Sequence, residues 1–346
     1  MSKMLEEIRE QPAALERTLQ SELPAIEELR RRLAGSPPRL VVLAARGTSD
    51  NAATFGRYLL EILTGIPVSL AAPSIVTLYG SEIDYRDALV VAISQSGEST
   101  DTNAFLVRAR GQGVVTVGIT NESASTMTKV AEHVFLVRAG KEKSVAATKT
   151  YTGQLLAMYL LAYALGAKID VEGLKRLPGY ADAALGLEPS IGEMSERYTF
   201  MDHAVVVARG LNYSNAFEFA LKLMETCYVV AERFSSADLL HGPIAMVGHA
   251  FPSFTFAPAG VTWEGLSETL EKLRSLSTET LVITDRSNRP AAEFGKKVIC
   301  LPLELPELYT PIPYIIPAQI FAARLAEQKG LDPDKPRTLS KVTKTL

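Results

Sequence analysis

The sequence predicts an α/β protein made of two tandem doubly wound parallel-sheet domains. Three observations carry that expectation. The chain has 346 residues, more than one hydrophobic core usually organises. Short, nearly continuous Val/Ile/Leu runs alternate with longer helical patterns, as expected for parallel strands buried on both faces. The pattern then restarts. Arg39 to Glu61 ends its strand in Arg46-Gly47 and enters a helix closing Tyr58-Leu59-Leu60-Glu61; Asp202 to Glu225 ends its strand in Arg209-Gly210 and enters a helix closing Lys222-Leu223-Met224-Glu225. A repeat of whole-domain size implies duplication.

In order, residues 1–35 read as a helical arm, with Leu15, Leu19, Leu23, Ile26, Leu29 and Leu33 at the spacing of one helix face. Residues 36–168 form the first domain. Its strands are read at Leu40–Ala44, Val68–Leu70, Ala88–Ile93, Val114–Ile119 and Val134–Val137. Residues 169–195 form a helical connector. The second domain spans 196–330, with further strand-like runs at Phe254–Phe256, Thr280–Thr284 and Val298–Leu301. The stretch 331–346 is polar, rich in Lys and Pro, and reads as a tail.

Composition narrows the function classes. Hydrophobic residues make up 47% and charged residues 22%, and the net charge is -3, so no basic face is expected for nucleic acid or a membrane surface. Cys227 and Cys300 stand apart, with no CxxC pair and no Cys/His cluster, which argues against a disulfide framework or structural zinc. The opening Met-Ser-Lys-Met-Leu-Glu-Glu-Ile carries charges where a signal peptide needs an apolar core, and no run is long enough to span a bilayer. A reducing, cytoplasmic setting is expected.

In an open parallel sheet, ligands bind beyond the carboxyl ends of the strands. The first strand ends in Arg46-Gly47-Thr48-Ser49-Asp50 and the third in Ser94-Gln95-Ser96-Gly97-Glu98-Ser99-Thr100. Both turns are hydroxyl-rich, contain glycine and lead into helices, which suits an anion such as phosphate. No lysine follows the glycine, so this is not a nucleotide P-loop, and G-x-G-x-x-G spacing is lacking. Simple helix capping needs only one Ser or Thr; two such turns on one sheet favour phosphate. A third loop, Glu142 to Lys149, reads equally well as a cap before a helix from Thr150. Lys222 and Glu225 share a helix face, as a site pair or a surface ion pair. His241, before Gly242-Pro243, belongs to a turn, where histidine is more often structural than catalytic. Lys341 reads as a solvated tail charge.

Taken together these motifs resemble a known family. Arg46-Gly47-Thr48-Ser49, Ser94-Gln95-Ser96-Gly97-Glu98-Ser99, Ala139-Gly140-Lys141-Glu142 running into Ala147-Thr148-Lys149, Lys222-Leu223-Met224-Glu225, His241-Gly242-Pro243 and Asp332 to Lys341 follow the order of the isomerase half of glucosamine-6-phosphate synthase, a tandem SIS-domain protein of flavodoxin-like sheets. Three departures stand out. The synthase's glutaminase domain with its N-terminal nucleophilic cysteine is expected to be absent, position 2 being Ser. Ser99 stands where the synthase carries Thr. Met224 stands where it carries a second Lys. The closing run Leu339 to Leu346 is more similar to the SIS-type glucosamine-6-phosphate deaminases, which also have Ser at the Ser99 position.

The resemblance implies roles residue by residue. Thr48, Ser49, Ser94, Gln95, Ser96 and Ser99 hold the sugar phosphate. Val145 and Ala147 line the sugar through backbone atoms. Glu225 moves a proton between C1 and C2, Lys222 supports the O1 region, and His241 opens the ring from a neighbouring subunit. Lys341 matches the lysine that forms a Schiff base with ketose phosphate. The resemblance thus implies a homodimer with a shared active site. No metal, no cofactor, and no nucleic-acid or membrane partner is expected. The expected reaction is glucosamine-6-phosphate deamination to fructose 6-phosphate and ammonia. Rival expectations are a deglycase or isomerase for fructosamine 6-phosphate or galactosamine 6-phosphate, an ammonia-dependent synthase-like isomerase, and a non-catalytic phosphosugar sensor.

Overall fold

A computed structural model describes residues 2–339 and Lys341. Residues 340 and 342–346, part of the closing run that carries the resemblance to the deaminases, lie outside the described residues. The chain divides into two compact units. One gathers residues 13–142, 149–176 and Lys341; the other gathers 2–12, 143–148 and 177–339.

The first of these holds a five-stranded parallel sheet of β1 (Leu40–Ala44), β2 (Val68–Leu70), β3 (Ala88–Ile93), β4 (Val115–Thr120) and β5 (His133–Leu136), in the order β2-β1-β3-β4-β5. The central strand β3 is buried at all six positions, as its unbroken apolar sequence requires. The helix Gln11–Ala34 follows the periodicity of the arm: Leu15, Leu19, Ile26, Leu29 and Leu33 are buried and Leu23 is partly so. It is tied to the sheet edge by Glu22, whose carboxylate accepts from the Leu136 amide at 3.0 Å and from Arg138 Nε at 2.7 Å. Helix Thr48–Thr64 packs along helix Lys149–Ala164, which is buried on almost every side.

The other unit repeats the design. Its strands are β6 (His203–Ala208), β7 (Val230–Ser235), β8 (Pro252–Phe256), β9 (Glu279–Asp285) and β10 (Lys297–Leu301), all parallel, in the order β10-β9-β8-β6-β7. Read from β7, this is the order of the first sheet, the flavodoxin-like 2-1-3-4-5. Its core is aromatic: Phe254 stacks near Phe219 at 5.1 Å and Phe321 at 5.2 Å, and Tyr198 meets Phe321 edge-on at 5.3 Å. Helix Pro311–Gln328 is buried along nearly its whole length and begins with proline, whose missing amide costs nothing in a first turn.

Strand β7 is the element the sequence pattern does not announce. The helix before it stops at Cys227, where Tyr228 turns left-handed with φ 56°. The strand is an edge, with Val230 exposed and Glu232 and Arg233 charged, so it lacks the apolar run of its neighbours. The polar tail is anchored at Asp334: both its carboxylate oxygens accept from the Lys3 and Met4 amides at 2.7 Å, capping helix Lys3–Arg9. Among the described residues no helix is long and apolar enough to cross a membrane.

Candidate functional site

The strand order of the first sheet reverses between β1 and β3, and the two hydroxyl-rich turns leave the carboxyl ends of those strands. Ser49 is buried, and its Oγ lies 2.9 Å from Nε2 of buried Gln154. Gln154 donates to that oxygen, so the Ser49 proton remains for a ligand. Thr48, beside it, is partly buried at the head of its helix. In the second turn, Ser94 Oγ accepts from the Gly97 amide at 3.2 Å and Ser96 Oγ accepts from the Glu98 amide at 3.3 Å. Ser99 Oγ donates to Asp101 at 2.7 Å. Gly97 is at φ 63°, and a Cβ there would lie 2.2 Å from Ser125 Oγ. Only glycine fits, on both counts. Glu98 fixes the far side of the turn by accepting from the Thr126 amide and hydroxyl at 2.8 and 2.7 Å.

Gln95 and Ser96 open onto a cavity of about 380 Å³ that Lys141, Glu142 and Lys341 also line. The tail lysine is therefore not a solvated charge. Its Nζ lies 2.9 Å from Oε2 of Glu142, whose side chain is wholly buried. The same carboxylate accepts from the Thr150 hydroxyl at 2.8 Å and from its amide at 3.3 Å, at the start of helix Lys149–Ala164. The helix thus begins one residue earlier than expected, at Lys149, and Glu142 serves its first turn.

In the other unit, Lys222 and Glu225 lie on helix Tyr213–Cys227. They are not a surface pair. Lys222 is completely buried, its Nζ 2.6 Å from Glu225 Oε2 and 3.3 Å from Glu218 Oε1. Burial alone would lower the Lys222 pKa; the two carboxylates outweigh it and raise the value above that of a free lysine. Glu218 has no exposed surface, whereas Glu225 keeps 23% of its side chain accessible. Of the two, only Glu225 can meet a substrate. Glu218 was missed by the sequence reading, although its signal was present: a carboxylate four residues before Lys222, on the same helix face.

His241 ends the short helix Ser236–Leu240 and is exposed in the turn before Gly242. Val145 and Ala147 belong to the 143–148 loop, which is tied by its backbone: the Ser144 amide donates to Glu7 at 3.2 Å, Val145 donates to the Asp334 carbonyl at 3.5 Å, and the Thr148 carbonyl accepts from Gln319 at 3.3 Å. The sequence-predicted residues thus fall into two sets. Thr48, Ser49, Ser94, Gln95, Ser96, Ser99 and Lys341 lie in one unit; Val145, Ala147, Lys222, Glu225 and His241 lie in the other.

The second sheet has its own reversal point, between β6 and β8. There Glu307 accepts from Thr262 Oγ1 at 2.6 Å and lies against Gly260, with Oε2 2.1 Å from where a Cβ would stand. A carboxylate already occupies this crevice, which therefore disfavours an anion. The two hydroxyl-rich, glycine-bearing turns both lie in the first repeat. Among the described residues no group of three His, Cys, Asp or Glu side chains gathers as a metal site.

Comparison with known proteins bears on the family and the fold. The chain is 34% identical over 341 residues to the isomerizing glutamine–fructose-6-phosphate aminotransferase of Methanothermobacter thermautotrophicus, covering 98% of this chain but 56% of that protein. It therefore spans just over half the length of this relative. Among solved structures, the C-terminal domain of glucosamine-fructose-6-phosphate aminotransferase from Francisella tularensis superposes with a TM-score of 0.88 at 28% identity, covering 97% of this chain and 98% of that one. Glucosamine-6-phosphate deaminase from Thermotoga maritima shares the fold, with a TM-score of 0.77 at 22% identity over 99% and 100% of the two chains. The SIS domain family matches twice, over residues 36–164 and 201–326, one match on each parallel sheet, and the chain is a tandem member of the SIS domain family.

Proposed function

We propose that the chain is an aldose–ketose isomerase of amino-sugar 6-phosphates that works as a glucosamine-6-phosphate deaminase. The observation that carries the isomerase reading is the buried Glu218–Lys222–Glu225 array, with one carboxylate reaching the surface beside a fixed ammonium. A proton shuttle between adjacent carbons needs such a base, and the charge that develops on O1 needs such a cation. A sensor has no use for either.

In the proposed reaction the turns Thr48–Ser49 and Ser94–Ser99 hold the phosphate. His241 moves the proton that opens the ring, in a homodimer in which it serves the neighbouring subunit. Glu225 takes the C2 proton of the open aldehyde, O1 carries the developing charge beside Lys222, the proton returns at C1, and O1 gains a proton as the amino nitrogen loses one. The product is a ketimine at C2, which water hydrolyses to fructose 6-phosphate and ammonia. Ser99 and the closing run similar to that of the SIS-type deaminases support this direction. The match to the aminotransferase over 98% of this chain favours a second reading, a synthase-like isomerase that runs from fructose 6-phosphate toward glucosamine 6-phosphate.

The test is ammonia and fructose 6-phosphate release from glucosamine 6-phosphate, with the reverse reaction supplied with ammonia, and with galactosamine 6-phosphate and fructosamine 6-phosphate in parallel. Release from glucosamine 6-phosphate that Glu225→Gln abolishes supports the deaminase. Synthesis without release supports the second reading. Tight phosphosugar binding with no turnover in either direction overturns the enzyme reading.

A further inference from the structure

We propose that Arg46 is the cationic ligand of the substrate's phosphate, held ready for it by Asp101. The inference rests on the reading that the two turns of the first sheet bind that phosphate. As read from the sequence, the clamp consists of hydroxyls, an amide side chain and backbone amides, and lacks a positive charge for a group that is nearly dianionic at neutral pH.

Arg46 supplies one at the right place. It is the second residue after β1, at the point where the strand order reverses, directly before Gly47 and Thr48. Its Nε donates to Asp101 Oδ2 at 2.7 Å. The other oxygen of Asp101 accepts from Ser99 Oγ at 2.7 Å and from the Thr102 amide at 2.8 Å. One carboxylate therefore links the guanidinium on the first turn to the last hydroxyl of the second. Asp101 is wholly buried, whereas Arg46 keeps 49% of its side chain accessible. Asp101 engages only Nε, and among the described residues Nη1 and Nη2 have no hydrogen-bond partner. An arginine serving only to neutralise Asp101 could use its full fork; this one leaves two donors without a partner among the described residues, and a guanidinium fork suits phosphate oxygens. The second repeat shows the contrast. Arg209 follows β6 directly and, like Arg46, stands before a glycine, but its Nη1 is engaged by Ser236 Oγ at 3.3 Å, and Glu307 fills the adjoining crevice.

The experiment is calorimetric binding of fructose 6-phosphate and of inorganic phosphate to the full chain, together with steady-state kinetics on glucosamine 6-phosphate. Arg46→Ala should weaken both ligands about ten-fold and raise KM by a like factor with kcat within about two-fold, the signature of lost uniform binding. Arg46→Lys, which keeps the charge without the fork, should fall between the two and serves if the alanine variant does not fold. Ser96→Ala is the control for the underlying reading. Unchanged affinity in Arg46→Ala, with Ser96→Ala weakened, overturns the role of Arg46 and leaves the clamp standing. Unchanged affinity in both overturns the clamp itself. A fall in kcat with affinity intact makes Arg46 a structural latch and also overturns the proposal.

Discussion

Lys222 Nζ sits 2.6 Å from the Glu225 carboxylate, and the ammonium has no exposed surface of its own. Its second partner, Glu218, is equally buried, so the lysine is compensated even when Glu225 is neutral or absent. Glu225→Gln should therefore fold normally and lose about 10²- to 10⁴-fold in kcat, the usual worth of a general base. Circular dichroism and turnover on glucosamine 6-phosphate check the two halves of this expectation. A fold loss would show that Glu225 is structural.

Lys222→Met is the opposite experiment. It leaves the Glu218 carboxylate buried without its cation, which costs about 3–5 kcal/mol in comparable sites. Urea unfolding should show a large drop in midpoint, and Glu218→Gln in the same chain should restore part of it. Additive losses would show that the two residues do not act as a pair. The raised pKa of Lys222 also has a direction: its contribution is complete below the pKa of an unfolded lysine and is lost only as pH rises through the still higher folded value.

Gly97→Ala should damage the phosphate turn locally. The residue is left-handed and its Cβ would collide with Ser125 Oγ, so about 1–3 kcal/mol of strain is expected. Fructose 6-phosphate affinity should fall with it, because Ser94 Oγ is held by the Gly97 amide. Pairing the substitution with Ser125→Gly should relieve the collision with Ser125 but neither the 2.8 Å approach to Thr120 Oγ1 nor the backbone strain. Full recovery of affinity in the double variant would assign the whole effect to sterics.

What was legible in the sequence was set by burial. The central strands are buried on both faces, so β1, β3 and β6 carry nearly unbroken apolar runs and β8 and β9 carry buried Ser and Thr among Phe, Leu, Val and Ile, and all five announce themselves. Strand β7 does not, because this edge strand has only six residues and its apolar run is broken by the adjacent charges of Glu232 and Arg233. The two hydroxyl-rich turns were legible because their chemistry is local, two short runs at strand ends. The partners that orient them were not: Gln154 lies 105 residues from Ser49, and Asp101 lies 55 from Arg46. Lys341 shows the same limit. Spacing makes it a solvated tail charge, and only a contact 199 residues back to Glu142 makes it part of a cavity.

That contact yields a further expectation. If Lys341 forms an imine with a ketose phosphate, its ammonium becomes a protonated imine with the loss of water, and the positive charge is conserved. Glu142 can balance both states without moving. Borohydride reduction in the presence of fructose 6-phosphate should add the sugar mass at Lys341, and Lys341→Ala should abolish it. Glu142→Gln should reduce trapping by several-fold, about the worth of one charge-assisted hydrogen bond. Trapping at an unchanged rate would leave Glu142 as a helix cap only.

Acid stability should depend on two carboxylates of the unit that carries Glu225. Glu279 is held below the ordinary carboxyl value chiefly by the two hydrogen bonds from Arg197, at 2.8 and 3.0 Å. Burial raises the Glu188 value, but Arg9 at 2.8 Å and Arg324 at 2.5 Å outweigh it, and the net shift is again downward. A carboxyl with a lowered folded pKa contributes stability that is complete above its unfolded value of about 4.3 and is lost as pH falls through the folded value. Both arginines on Glu188 and the one on Glu279 are partly exposed, so the effect at each site is modest and screened by salt. Urea midpoints measured between neutral pH and pH 3 should fall for the native chain. They should fall less steeply for the Glu188→Gln, Glu279→Gln double variant, so that the two curves converge on the acid side. Parallel curves would mean that neither carboxylate is linked to folding, and that acid lability arises elsewhere in the chain.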